Sequence, residues 1–209
     1  MSNNKQTQRT IQLSSVDQIL RAPVSGEYIN LEPLTKDHAE EYFRQYHNTD
    51  IQQMTDLPLF TSACEVSKWI EEDSISTNTY NYAIVLPVRG FVGFVNLIVS
   101  EHAAFFGIWL GKKFQGLGLG TQAGQLICQY ALDAKLSVVF TAAFKTNYRS
   151  IQMLKKVGFE TLPISAFDPY SDRAFFILTH DPAIKKNGNT ELINYYQREQ
   201  LPHRFYAST

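Results

Sequence analysis

Along this chain the spacing of apolar positions switches between two and three-to-four residues, and each switch marks an element. Glu27 to Leu34 alternates and breaks at Pro33, which predicts a strand and makes Glu27 the expected start of the fold. Thr35 then caps a helix to about His47, with Tyr42, Phe43 and Tyr46 on one face. Thr49 to Phe60 reads as a loop around Asp56-Leu57-Pro58, and Ser62 with Glu65 forms a capping box for a helix striped by Val66, Trp69 and Ile70. YNYAIVL and FVGFVNLIV are strands split by Pro87-Val88-Arg89-Gly90, a hairpin signal, and Ala103 to Leu110 completes the meander. Gly107 inside that third strand predicts a bulge or a close backbone approach.

Thr121 to Ala134 predicts a helix that buries Ala123, Ile127, Tyr130 and Ala134. Ser137 to Phe144 is almost continuously apolar, as a strand covered on both faces would be. Ser150 to Val157 reads as a helix with Gly158 as its left-handed stop. Phe159–Ile164 and Arg173–Thr179 read as a closing strand pair joined by AFDPYSD. After Asp181-Pro182, Lys185 to Asn189 reads as a turn and Glu191 to Gln200 as a helix carrying Leu192, Ile193 and Tyr196.

For 209 residues one α/β domain is the expectation, over residues 26–180, between a polar extension at 1–25 and a C-terminal extension at 181–209. Apolar residues make up 44%, enough for a core, and a net charge of −1 gives no electrostatic case for nucleic acid. Cys64 and Cys128 fall in apparent amphipathic helices, where they read as small buried hydrophobes, and neither has a metal or redox spacing. No metal is implied. The first ten residues, MSNNKQTQRT, hold no apolar segment, and no later run is long enough to span a bilayer. A cytoplasmic protein, away from membranes and either monomeric or homodimeric, is expected.

The chemistry concentrates in AAFFGIWLGKKFQGLGLGTQAG, residues 103–124: a strand, a glycine turn and a helix start. Amides bared at such a turn, with a helix dipole behind them, suit a pyrophosphate. Gly116, Gly118 and Gly120 leave no Cβ between ligand and main chain. A P-loop would follow its last glycine with Lys and Ser or Thr, but Thr121-Gln122 stands there. A dinucleotide fold needs a third glycine, where Thr121 sits, and an acidic residue ending the next strand, which SVVFTAAF lacks. Gln115, Gly118 and Gly120 instead satisfy Q/R-x-x-G-x-G/A.

A second motif follows a helix and a strand later: Asn147, Ser150, Lys156, Gly158 and Phe159, in NYRSIQMLKKVGF. Together with GFVNL and GIWL, the two motifs resemble the GNAT N-acetyltransferases over about residues 27–179, in the branch of the ribosomal-protein N-terminal acetyltransferases. The resemblance implies a mixed, mostly antiparallel sheet of six to seven strands with helices on both faces, and acetyl-CoA as co-substrate. It implies that a bulge splays the 103–110 strand from its neighbour, so that the main chain of Ile108, Trp109 and Leu110 binds pantetheine. The Leu110 N–H then faces the thioester oxygen. The amides of Gln115, Gly116, Leu117, Gly118, Leu119, Gly120 and Thr121 hold the pyrophosphate. Asn147, a good helix N-cap by residue type, adds a contact to the coenzyme arm.

Ser150 matches the serine that protonates the departing thiolate in ribosomal-protein relatives, because Leu154 fills the place of the tyrosine used elsewhere. The carboxylates that serve as base in relatives are replaced by Ala142 and Leu162. Glu101, His102 and Asp56 are the remaining base candidates. Deprotonating an α-amine of pKa about 7.8 costs about 1 kcal/mol at pH 7, against about 4.6 for a lysine at about 10.4. The missing base therefore favours a protein N-terminus as acceptor. A polyamine or antibiotic-type small amine, and a catalytically silent coenzyme-binding module, are the alternatives.

Overall fold

A computed structural model describes residues 17–207. Of the polar extension expected at 1–25, residues 1–16 lie outside the described residues. The strands are β1 (Val24–Ser25), β2 (Asn30–Pro33), β3 (Thr79–Leu86), β4 (Gly90–Ser100), β5 (Ala103–Leu110), β6 (Val138–Phe144), β7 (Glu160–Thr161), β8 (Ile164–Ala166), β9 (Arg173–Leu178) and β10 (Phe205–Ala207). The helices are α1 (Ala39–Tyr46), α2 (Thr49–Gln52), α3 (Ala63–Ser74), α4 (Leu119–Asp133), α5 (Tyr148–Val157), α6 (Pro182–Lys186) and α7 (Gly188–Arg198). Eight strands form one sheet in the order β1-β2-β3-β4-β5-β6-β9-β7, and β8 pairs with β10 alone. The main sheet has more strands than the six to seven expected. Its one parallel neighbour pair is β5 with β6, as the α4 crossover between them requires.

Strand alternation sends successive side chains to opposite faces. On one face Ala104, Phe106 and Val139 meet Ala123, Ile127 and Leu154 of α4 and α5. On the other, Phe94 and Trp109 pack under Tyr42, Tyr46, Val66 and Ile70 of α1 and α3. Farther along that second face, Ala103, Phe140 and Phe175 pack under Leu192, Tyr195 and Tyr196 of α7.

Several boundaries differ from the sequence reading, each for a local reason. The fold begins before Glu27: Leu20 is buried, its carbonyl accepts from the Tyr82 hydroxyl, and β1 pairs with β2. The 49–60 loop contains α2, capped by the Asn48 side-chain Oδ1 at 3.3 Å from the Ile51 amide. The Ser62 half of the capping box forms, but the Glu65 carboxylate bonds Thr61 instead. Tyr130 is only partly buried, and its hydroxyl reaches the Ile19 carbonyl. Cys128 is buried, which pushes its thiol pKa up, but Cys64 lies exposed on α3.

Phe159–Ile164 is not one strand. Pro163 interrupts it, β7 joins β9, and β8 turns to β10. The expected turn at Lys185 to Asn189 narrows to Asn187, between the end of α6, whose Ala183 amide is capped by Asp181 at 2.8 Å, and the start of α7. Gly107 marks no bulge, since β4 and β5 stay in continuous register from Gly93↔Leu110 to Ser100↔Ala103. The irregularity sits one strand earlier, between Ile84 and Val85 in the β3–β4 ladder.

Candidate functional site

β5 is paired along its whole length on one edge and along only three rungs on the other. Those rungs are Ala103↔Val138, Ala104↔Val139 and Phe105↔Phe140. The Thr141 hydroxyl then donates to the Phe106 carbonyl at 2.8 Å. Past that bond the two strands part. A side chain, not a bulge, therefore ends the ladder.

The Gly111 amide bonds the Val92 carbonyl at 2.9 Å, continuing the β4–β5 ladder. Because antiparallel hydrogen-bonding alternates by residue, the main chain of Gly107 and Trp109 faces β4 while that of Ile108 and Leu110 faces the gap. The Thr141 bond to Phe106 fits the same alternation. Trp109 thus departs from the expected role. Its main chain belongs to the ladder, and its ring is buried, 4.9 Å from that of Tyr42.

Gly116 (φ +83°) and Gly118 (φ +82°) take left-handed conformations that bring the chain from β5 into α4. The first amide of the helical ladder is Gln122, bonded to the Gly118 carbonyl at 3.1 Å. The Leu119, Gly120 and Thr121 amides precede that ladder and stand at the positive end of the helix dipole. Gly116, Leu117 and Gly118 are exposed, whereas the Leu119 side chain anchors the turn in the core. Gln115 braces the loop: its Nε2 donates to the Leu110 carbonyl at 2.9 Å, and its Oε1 accepts from Arg149 at 2.7 Å.

Arg149 was not among the candidates read from the sequence. The available signal was a cation in the first turn of α5, where the helix dipole disfavours positive charge. Arg149, tied to the loop through Gln115, adds a positive charge beside the bared amides, whereas Lys112 before the loop is paired with Asp50. A diphosphate fits this donor set.

In α5, the Asn147 side-chain Oδ1 caps the helix, accepting from the Ser150 amide at 3.1 Å. Its Nδ2 donors are left over. Ser150 is partly buried in the first turn, and Leu154 is sealed in the core at 1% exposure, unable to give up a proton.

The three base candidates separate. Glu101 and His102 stand at the β4–β5 turn, about 26–30 Å along the chain from Leu110 at about 3.3 Å per residue. There they face α7: Arg198 lies 3.6 Å from Glu101, and Glu191 lies 3.5 Å from His102. The structure does not bring them to the parted strands. Asp56 does come to that end. It accepts from Arg173 at 2.7 Å, and the Arg173 guanidinium lies over the Phe144 ring at the tip of β6. Arg173 is 8% exposed and its Nη1 has no partner among the described residues.

A strand parted from its parallel neighbour, running into a glycine turn at a helix N-terminus, offers main-chain donors and acceptors to an extended ligand that carries a diphosphate. The chain belongs to the acetyltransferase (GNAT) domain family, which matches residues 29–160; acetyl-CoA is the co-substrate and N-acetyl transfer the activity. No curated protein matches it in sequence. Among solved structures it is similar to RimJ of Mycobacterium smegmatis, in complex with CoA-disulfide, at 16% identity and TM-score 0.67, over 82% of this chain and 95% of that one. It is similar to the ribosomal-protein-S5-alanine acetyltransferase of Vibrio fischeri at 14% identity and TM-score 0.65, over 77% and 97% of the two chains. A third is the microcin C7 self-immunity acetyltransferase MccE, in complex with acetyl-CoA and AMP, at 19% identity and TM-score 0.64, over 74% and 93%. No helix among the described residues is long and apolar enough to cross a membrane.

Proposed function

We propose that this protein acetylates a primary amine by direct attack on acetyl-CoA, with the α-amine of a protein N-terminus as preferred acceptor. The observation that carries the proposal is the parting of β5 from β6 beside a turn of unladdered amides. The main-chain groups of Ile108 and Leu110 receive the pantetheine amides as a neighbouring strand would. Residues 115–121 take the pyrophosphate, with Arg149 adding a charge-assisted donor. Asn147 caps α5 and offers Nδ2 to the coenzyme arm.

The amine attacks the thioester carbon, a C–N bond forms, and the Leu110 N–H stabilises the oxyanion. As the C–S bond breaks, Ser150 gives its proton to the thiolate and recovers one through water from the nitrogen of the new C–N bond, which leaves a neutral amide and the CoA thiol. Asp56, held by Arg173 at the open end, attracts the acceptor's ammonium form. The preference for an α-amine rests on Ala142 and Leu162, which leave no carboxylate where relatives carry one. The names of the RimJ and S5-alanine acetyltransferase neighbours agree with it.

Acetyl-CoA at about 100 times its Kd stabilises the protein by about 2.7 kcal/mol. For a chain of this size that raises Tm by about 5–10 °C. Thiol release is then measured with peptides of free N-terminal Ala or Ser and with polyamines. Turnover on peptides over polyamines is the expected result. Turnover on polyamines alone moves the acceptor to small amines, and binding without turnover makes the protein a coenzyme-binding module. No thermal shift at millimolar ligand overturns the proposal.

A further inference from the structure

The face of the sheet that carries α1, α3 and α7 is aromatic except along one row. Asn81 of β3, Asn96 of β4 and Gly107 of β5 lie directly opposite one another in register. On one side of the row Phe94 and Trp109 pack under α1 and α3; on the other Phe105 packs under α7. The row therefore lies at the seam between the two helical layers, where its residues are partly buried. Gly107 is also the first residue on this face beyond the last β5–β6 rung, at Phe105.

Asn96 sits directly over it. A Cβ built on Gly107 would clash with Asn96 Oδ1, so with any larger residue at 107 the amide would have to swing out of this position. Asn96 is partly buried, and among the described residues its amide makes no hydrogen bond. Beside it, Asn81 Nδ2 donates to Asp73 at the end of α3, while Asn81 Oδ1 is buried without a partner among the described residues. Two amide oxygens and a carboxylate thus line one strip of an otherwise apolar face. Such acceptors are costly to bury unless a donor meets them, and a ligand rich in N–H donors is what they lack.

We infer that Asn96 is the acceptor-binding residue: its Oδ1 accepts a hydrogen bond from the attacking amine over Gly107, with Asn81 and Asp73 receiving the donors behind it. The inference rests on the acetyl-transfer reading and adds the group that aims the nucleophile. It also accounts for Gly107, whose missing Cβ serves this contact and not a bulge.

The test pairs Asn96→Leu, which keeps the volume and removes the acceptor, with a measurement on the wild-type protein. In Asn96→Leu, kcat/KM for the amine falls about 10- to 100-fold, because a misplaced nucleophile forfeits its orientation. The thermal shift given by acetyl-CoA stays at the wild-type value. Independently of turnover, the Asn96 side-chain 15N signal, identified by its loss in the variant, moves when a peptide amine is added to protein saturated with CoA. It does not move in the same way with an N-acetylated peptide. Wild-type kcat and KM in Asn96→Leu overturn the inference, as does a side-chain signal indifferent to every amine tried. A wild-type protein that ignores acetyl-CoA overturns the acetyl-transfer reading itself, and the thermal shift separates that result from the others.

Discussion

Ser150 and Arg149 are neighbours in the first turn of α5, and the proposed reaction assigns them to two ends of one ligand. Arg149 ties the glycine turn through Gln115, proposed to hold the diphosphate, and Ser150, whose amide bonds the Asn147 side chain, is the proposed donor to the thiolate. Leu154, one turn on, is core, so no tyrosine supplements the serine. Ser150→Ala is therefore expected to lower kcat about 100-fold while KM for acetyl-CoA changes little. Steady-state kinetics on the best peptide checks it, and an unchanged kcat would move the acid elsewhere. At this scale the sequence was readable wherever a residue type has one use. Gly118 could be placed because few other residues adopt its φ, and Asn147 because it caps. Arg149 escaped because a surface arginine has many uses, and Asn96 because only strand register brings it over Gly107.

Elements were legible where the periodicity ran long, as in α4 and β6, and poor where pairing decides. Nothing in Phe159 to Ile164 announces that β8 abandons the main sheet for a strand forty residues downstream. That partner, β10, is fastened by rings. His203 stacks on Tyr170 at 3.7 Å and meets Tyr196 edge-on at 4.6 Å, and the Phe167 amide bonds the Arg204 carbonyl at 2.8 Å. Burial first, then the Arg173 cation, hold the His203 pKa below its ordinary 6.5, with Asp56 opposing. A lowered folded pKa means that the undocked segment binds the proton more readily. Docking is thus strongest above 6.5 and weakens as pH falls through the folded value. Amide exchange at Phe205–Ala207 and Ile164–Ala166, corrected for intrinsic chemistry, should quicken as pH falls below 6.5. His203→Phe should remove that dependence.

For the whole molecule, the C-terminal extension is structural. Leu192 and Tyr195 are fully buried and Tyr196 nearly so, and from beyond the family match at 29–160 they close a cluster with Phe140 and Phe175. Burial of each such side chain contributes about 1.5–3 kcal/mol, a large part of the about 5–15 kcal/mol that separates folded from unfolded chains. A chain ending at Asp181 is expected to be insoluble or to melt far below the full protein, as thermal unfolding of the two would show. Family motifs made the catalytic half of the fold foreseeable; they say nothing about which scaffold closes the other half.

The short seam between β5 and β6 has a mechanical meaning. Among the described residues, three rungs and the Thr141 hydroxyl join a five-strand blade to a three-strand blade, like the hinge pin of a pair of shears. The aperture between the tips then depends on the angle set at residues 103–105 and 138–140. Side chains far from any reacting atom thereby govern how wide a thioester slot this enzyme presents.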